Sequence, residues 1–127
     1  MTENEIATIV VDAAFQIHKK LGPGLLESAY ESMLFHELIK RSLHVERQVL
    51  VPLIWDGVAI DEGYRADLIV ERKLLVELKS VEKLVPVHKK QVLTYLKVAE
   101  LRLGLLVNFG APLIKDGIER IVNGLVD

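Results

Sequence analysis

The chain has 127 residues, half of them hydrophobic and 27% charged, the profile of one globular domain, residues 1–127, able to bury about two-thirds of its surface. It contains no cysteine, which excludes disulfides, zinc–thiolate sites, iron–sulfur clusters and thiol nucleophiles and suits a reducing compartment. The net charge of -2 divides into -5 over residues 1–63 and +3 over residues 64–127, an excess that either phosphates or plain solvent can meet.

The opening residues MTENEIATIV carry neither the basic region nor the long apolar run of a signal peptide. No apolar stretch approaches the ~20 residues needed to span a bilayer, so a cytoplasmic chain with no membrane contact is expected. Thr2 and Glu5 have capping-box spacing, and Ile6, Ile9, Val10, Ala13, Ala14 and Ile17 recur on one helical face, which predicts a helix to about Lys20. Gly22, Pro23 and Gly24 stop it. A second helix is predicted over about Leu25 to Arg41, with Leu26, Ala29, Tyr30, Met33, Leu34 and Leu38 inward.

From His44 the period changes to two, with Val45, Val49, Val51 and Leu53 on one side and Glu46, Gln48, Leu50 and Ile54 on the other. Asp56-Gly57 then signals a hairpin, because a type I' turn needs positive φ at both central residues. A second strand is expected from about Val58 to Val70 and a third from Leu74 to Lys79, making an antiparallel meander. Pro86 can open a third helix over residues 87–99, and the short apolar run Leu103 to Phe109 reads as a buried strand joined by a parallel crossover. Ile118 to Val122 fits a strand or a helical turn equally. The expected class is α/β, in the order two helices, three antiparallel strands, a helix and a parallel strand.

Within this frame Asp67, Glu77 and Lys79 stand out, as two acids and a base in strands that otherwise read as core. Glu77 and Lys79 share one strand face, with Leu74, Val76 and Leu78 on the other. If residues 71–73 form a three-residue loop, Val70 faces Leu74 and Asp67 falls opposite Glu77 on the same face. Two such carboxylates need a compensating charge, and a divalent metal supplies it. Magnesium or manganese bound by Asp67, Glu77 and the backbone carbonyl of Leu78 would leave Lys79 to orient the attacking water and stabilise phosphate charge. Taken alone, Glu-x-Lys in a strand also reads as a surface ion pair.

Glu27 shares a helical stripe with Tyr30 and Leu34 toward the core, which sends it to the metal, directly or through water; a glutamate favoured by the helix dipole is the plainer reading. Gln91 and Tyr95 lie four apart on the third helix, with His88 one turn earlier, a polar stripe suited to a nucleic-acid backbone or to solvent. His88 reads as a surface histidine before a ligand.

The segment Gly24-Leu25-Leu26-Glu27-Ser28-Ala29-Tyr30 resembles the signature of the GxxExxY protein family. The stretches GYRADLIV, VELKS, PVHKKQVLTYLK, LGLLVNFG and KDGIERIVNGL look like that family's successive blocks, covering nearly the whole chain. The resemblance implies a PD-(D/E)xK nuclease with a restriction-endonuclease-like core. It further implies that Asp67, Glu77 and Lys79 are the metal and catalytic triad, that Glu27 is the acid from the preceding helix, and that Gln91 and Tyr95 are a QxxxY motif. Ala66 stands where the superfamily's name has proline.

The expected function is metal-dependent hydrolysis of phosphodiester bonds in nucleic acid, DNA first, with magnesium or manganese as cofactor and a homodimer as the expected assembly. The rivals are a non-catalytic nucleic-acid- or protein-binding module that keeps the nuclease fold, and a small hydrolase of phosphate esters.

Overall fold

Thr2 accepts from the Glu5 amide while the Glu5 carboxylate accepts from the Thr2 amide, and this reciprocal cap starts helix α1, Glu3–Leu21. The computed structural model describes residues 1–126, with Glu62 described through its backbone only. Gly22, at φ 70°, ends α1. Helix α2 spans Glu27–Lys40, starting two residues later than the periodicity predicts. Strands β1 (Val45–Trp55) and β2 (Val58–Val70) follow, joined at Asp56 and Gly57 with φ of 53° and 78°, the positive pair that a type I' turn requires. Then come β3 (Leu74–Lys79), α3 (Pro86–Ala99), β4 (Leu103–Asn108), a 3-10 turn over Ile114–Gly117, and β5 (Ile118–Val122).

The strands form one five-stranded sheet in the order β1-β2-β3-β4-β5. Only the β3–β4 pair, bridged by α3, is parallel. The expected α/β class and element order therefore hold, and the undecided tail is an edge strand on β4. Among the described residues no helix is long and apolar enough to cross a membrane.

Helices α1 and α2 cover one face of the sheet. There Ile6, Val10, Tyr30, Leu34 and Leu38 pack on Leu68, Val70, Leu74, Val76 and Leu78. The other face carries α3, where Val92 and Leu96 pack on Val51, Ala66, Leu75 and Leu106. A Cβ on Gly104 would come within 2.9 Å of Val92 Cγ1, so glycine there lets α3 approach β4.

Leu26, expected inward, is 77% exposed, because α2 begins only after it. The expected single apolar face of β1 fails as well. Val45 belongs to the α1/α2 core, but Val49 and Val51 belong to the α3 core, so the predicted single apolar face of β1 is split between two layers. The switch occurs at Gln48, whose left-handed backbone (φ 48°) rotates the strand. Its neighbours keep their partners, Arg47 with Leu68 and Val49 with Ala66, so the rotation costs no register.

Candidate active site

Val70 pairs with Leu74 across residues 71–73, as the three-residue loop requires, and the β2–β3 ladder continues through Leu68–Val76. There the ladder pairing stops. In the next step Asp67 and Glu77 stand opposite each other, and each carboxylate crosses to the other strand. Glu77 Oε1 accepts from the Asp67 amide at 3.0 Å, and Asp67 Oδ2 accepts from the Leu78 amide at 2.8 Å. The two acids thus replace ladder hydrogen bonds with side-chain ones at the mouth of a gap between β2 and β3.

The amide and carbonyl of a strand residue lie on the same edge, so the Leu78 carbonyl looks into this gap beside the Asp67 carboxylate. The Lys79 carbonyl faces the opposite way and accepts from the Phe109 amide at 2.8 Å.

Both carboxyl groups are held up from their ordinary range. Burial, and then the negative charge of Asp67, push Glu77 up to about 7 against the opposing pull of the Tyr64 hydroxyl, the Asp67 amide and Lys79. Asp67 is raised by burial first; the Leu78 amide opposes this, and the like charges of Glu31 and Glu27 add to it. Burial and the neighbouring like charges therefore both favour a proton on this pair, and a cation placed between them would relieve that penalty.

Three residues that the sequence reading passed over complete the site. Tyr64 donates its hydroxyl to Glu77 Oε1 and stacks on Tyr95 with ring planes 8° apart. Its pKa is pushed well up by burial and then by Glu77, so the hydroxyl keeps its proton. Gln48 Nε2 donates to Asp67 Oδ1 at 3.3 Å and to Glu31 Oε1 at 2.6 Å. Glu31, buried on α2, takes two further bonds from the Arg47 guanidinium at 3.0 and 3.3 Å on Oε2. The available signals were Glu31 one helical turn beyond Glu27, and Tyr64 three residues before Asp67 in the same strand.

The remaining expected residues divide. Lys79 lies close enough to act on the Glu77 carboxyl. Tyr95 reaches the site through Tyr64 and is itself raised by burial and then by Glu77. Glu27 does not face the core; as the first residue of α2 it is exposed, near enough to raise Asp67, and makes no hydrogen bond among the described residues. Gln91 is exposed one turn before Tyr95. His88 Nδ1 accepts from the Val85 amide at 3.2 Å, so the Nδ1 lone pair caps α3 and is not offered to Asp67 and Glu77. Lys89 pairs with Glu119 at 3.5 Å.

The signature tyrosine has a structural task. Tyr30 is fully buried, stacks on Phe109 at 4.4 Å, donates to the Gly22 carbonyl at 2.5 Å and accepts from the Leu25 amide at 3.2 Å. It ties down the loop from which Glu27 emerges.

Among the described residues no three His, Cys, Asp or Glu side chains form a ready cation cage. Two carboxylates and a carbonyl are nonetheless the hard oxygen donors that magnesium takes when waters and substrate phosphate complete its shell. The donor set fits such an ion.

No curated protein and no solved structure matches the chain. The model of the PD-(D/E)XK nuclease superfamily matches residues 4–121, and with an acidic pair and a lysine at the end of a three-stranded meander, the chain belongs to that superfamily.

Proposed function

We propose that this chain is a metal-dependent nuclease that hydrolyses phosphodiester bonds, with DNA ahead of RNA as substrate, and that its GxxExxY-like segment places it with that family. We place it in the cytoplasm, a reducing compartment that a cysteine-free sequence suits. The observation that carries the reading is the opposed pair Asp67 and Glu77, two buried carboxyl groups held above their ordinary range by burial and by like charge, with Lys79 close by.

Asp67 and Glu77, with the Leu78 carbonyl beside them and Glu27 at the rim through water, would hold magnesium or manganese, which when bound polarises phosphate oxygens and acidifies water. Lys79 offsets the charge that gathers on the phosphate during displacement and orients the attacking water. Tyr64 keeps its proton and fixes the Glu77 carboxylate through it. Tyr95 and Gln91, on the side of α3 next to this pair, present polar groups to the nucleic-acid backbone.

A second reading has one observation in its favour: an oxygen of each carboxylate is already engaged by a main-chain amide, as in a structural clamp. In that case the chain is a nucleic-acid- or protein-binding module. Incubation of labelled single- and double-stranded DNA and RNA with magnesium or manganese separates the two. The nuclease reading expects cleavage by wild type and a loss of about 100-fold or more in Lys79→Ala with its fold intact. No cleavage of any polymer by a folded, metal-loaded wild type would favour the module.

A further inference from the structure

Two surfaces away from the site are apolar, oppositely charged and unpartnered. One is the outer end of the β1–β2 hairpin, where Ile54, Trp55 and Val58 are 65%, 78% and 58% exposed. Asp56 and Asp61 flank them, and neither forms an ion pair among the described residues. The other is a groove of about 770 Å³ between α1 and α2, where Ile17, Leu21 and Met33 lie with Lys19 and Lys20, and where the one acid in the lining, Glu37, is already paired with Arg41 at 3.2 Å. Lys19 lies 6.0 Å from the Phe15 ring centre, and neither lysine meets a carboxylate among the described residues.

The chemistry narrows the occupant of each. A hairpin tip whose described charges are acidic repels phosphates, so nucleic acid and anionic lipid headgroups are poor partners for it. Pairing of two β1 edges is opposed by Pro52, which has no N–H to give. What suits the tip is an apolar depression with free cations, and the α1/α2 groove of the same chain has that character. Its volume falls in the range of pockets that take a drug-sized molecule, ample for an indole ring.

We infer that two copies of this chain form a twofold dimer in which the hairpin tip of each seats Trp55 in the α1/α2 groove of the other, with Asp56 and Asp61 set against Lys19 and Lys20. Around a twofold axis each copy both gives a tip and receives one, so that neither surface is left bare. The inference is independent of the nuclease reading.

Sedimentation velocity of the full chain, from micromolar to hundred-micromolar concentration, tests it. A dimer is expected, and because Trp55 is the chain's single tryptophan, its fluorescence should shift to the blue as the dimer forms. Trp55→Asp should weaken association at least about tenfold, and so should Lys19→Glu with Lys20→Glu; adding Asp56→Lys and Asp61→Lys to the latter should restore it. All these positions are exposed, so circular dichroism should report unchanged folds. A wild type that stays monomeric at the highest concentration overturns the inference. So does a Trp55→Asp chain that dimerises normally. A dimer broken by Trp55→Asp yet indifferent to both lysine reversals overturns it as well, because the groove then takes no part in the contact.

Discussion

Gln48 and Asp67 stand opposite each other at the point where the β1–β2 hairpin passes from one hydrophobic core to the other, and they are joined there by a 3.3 Å hydrogen bond. The left-handed backbone of Gln48 is the cost of that passage, and its side chain is what the passage yields: an amide that links the site carboxylate to Glu31.

Replacing this residue in two ways separates backbone from side chain. Both Gln48→Ala and Gln48→Gly lose the two amide bonds, and metal affinity measured by calorimetry should fall about tenfold in each, as for other groups that orient ligands. Stability should differ, with the glycine variant more stable than the alanine by about 1 kcal/mol in urea unfolding, since only glycine adopts positive φ freely.

The metal-free protein should lose stability as pH rises. Glu77 binds its proton more tightly folded than unfolded, because its pKa is raised from the ordinary 4.5 to about 7. The stabilisation it gives is fully present below about pH 4.5 and is lost as pH passes through about 7, a difference of roughly 3 kcal/mol at most. The difference in unfolding free energy between wild type and Glu77→Gln should therefore fall across that window. A flat difference would mean that Glu77 titrates normally.

Tyr64 donates to the charged form of Glu77 and so holds its pKa down. Tyr64→Phe should move the Glu77 titration upward, by an amount read directly from the carboxyl carbon in an NMR titration. An unmoved midpoint would show that the hydroxyl bond contributes nothing to the charge state.

Tyr30→Phe keeps the stack on Phe109 and removes both bonds to the 22–25 loop. Thermal or urea unfolding should register a loss of about 1–2 kcal/mol. Amide exchange at Leu25 should speed up more than exchange in the strands, because the bond removed there is local.

Much of this was legible from residue order. The three-residue loop after Val70 fixed how β2 meets β3, and hence which acid Glu77 would face. The rotation at Gln48 was hidden because both cores are apolar. Val45, Val49 and Val51 keep one parity while serving opposite faces, and period-two reasoning sees only the parity. Glu31 was hidden for a different reason: a buried glutamate is expected only once its partners are known, and Arg47 and Gln48 come from another element. Glu27 was misplaced because a stripe argument assumes a helix on both sides of the residue. At the first helical position the side chain leaves over the end instead.

The seam at Gln48 and Asp67 also bears on how the molecule responds to force and to ligands. One hairpin is stitched into both layers, so the helices on the two faces of the sheet are not separately removable. Loosening either layer strains the strand pair that carries the site. A ligand that draws Asp67 and Glu77 together should accordingly slow hydrogen exchange in α2 and α3 alike, although the two helices lie on opposite faces of the sheet.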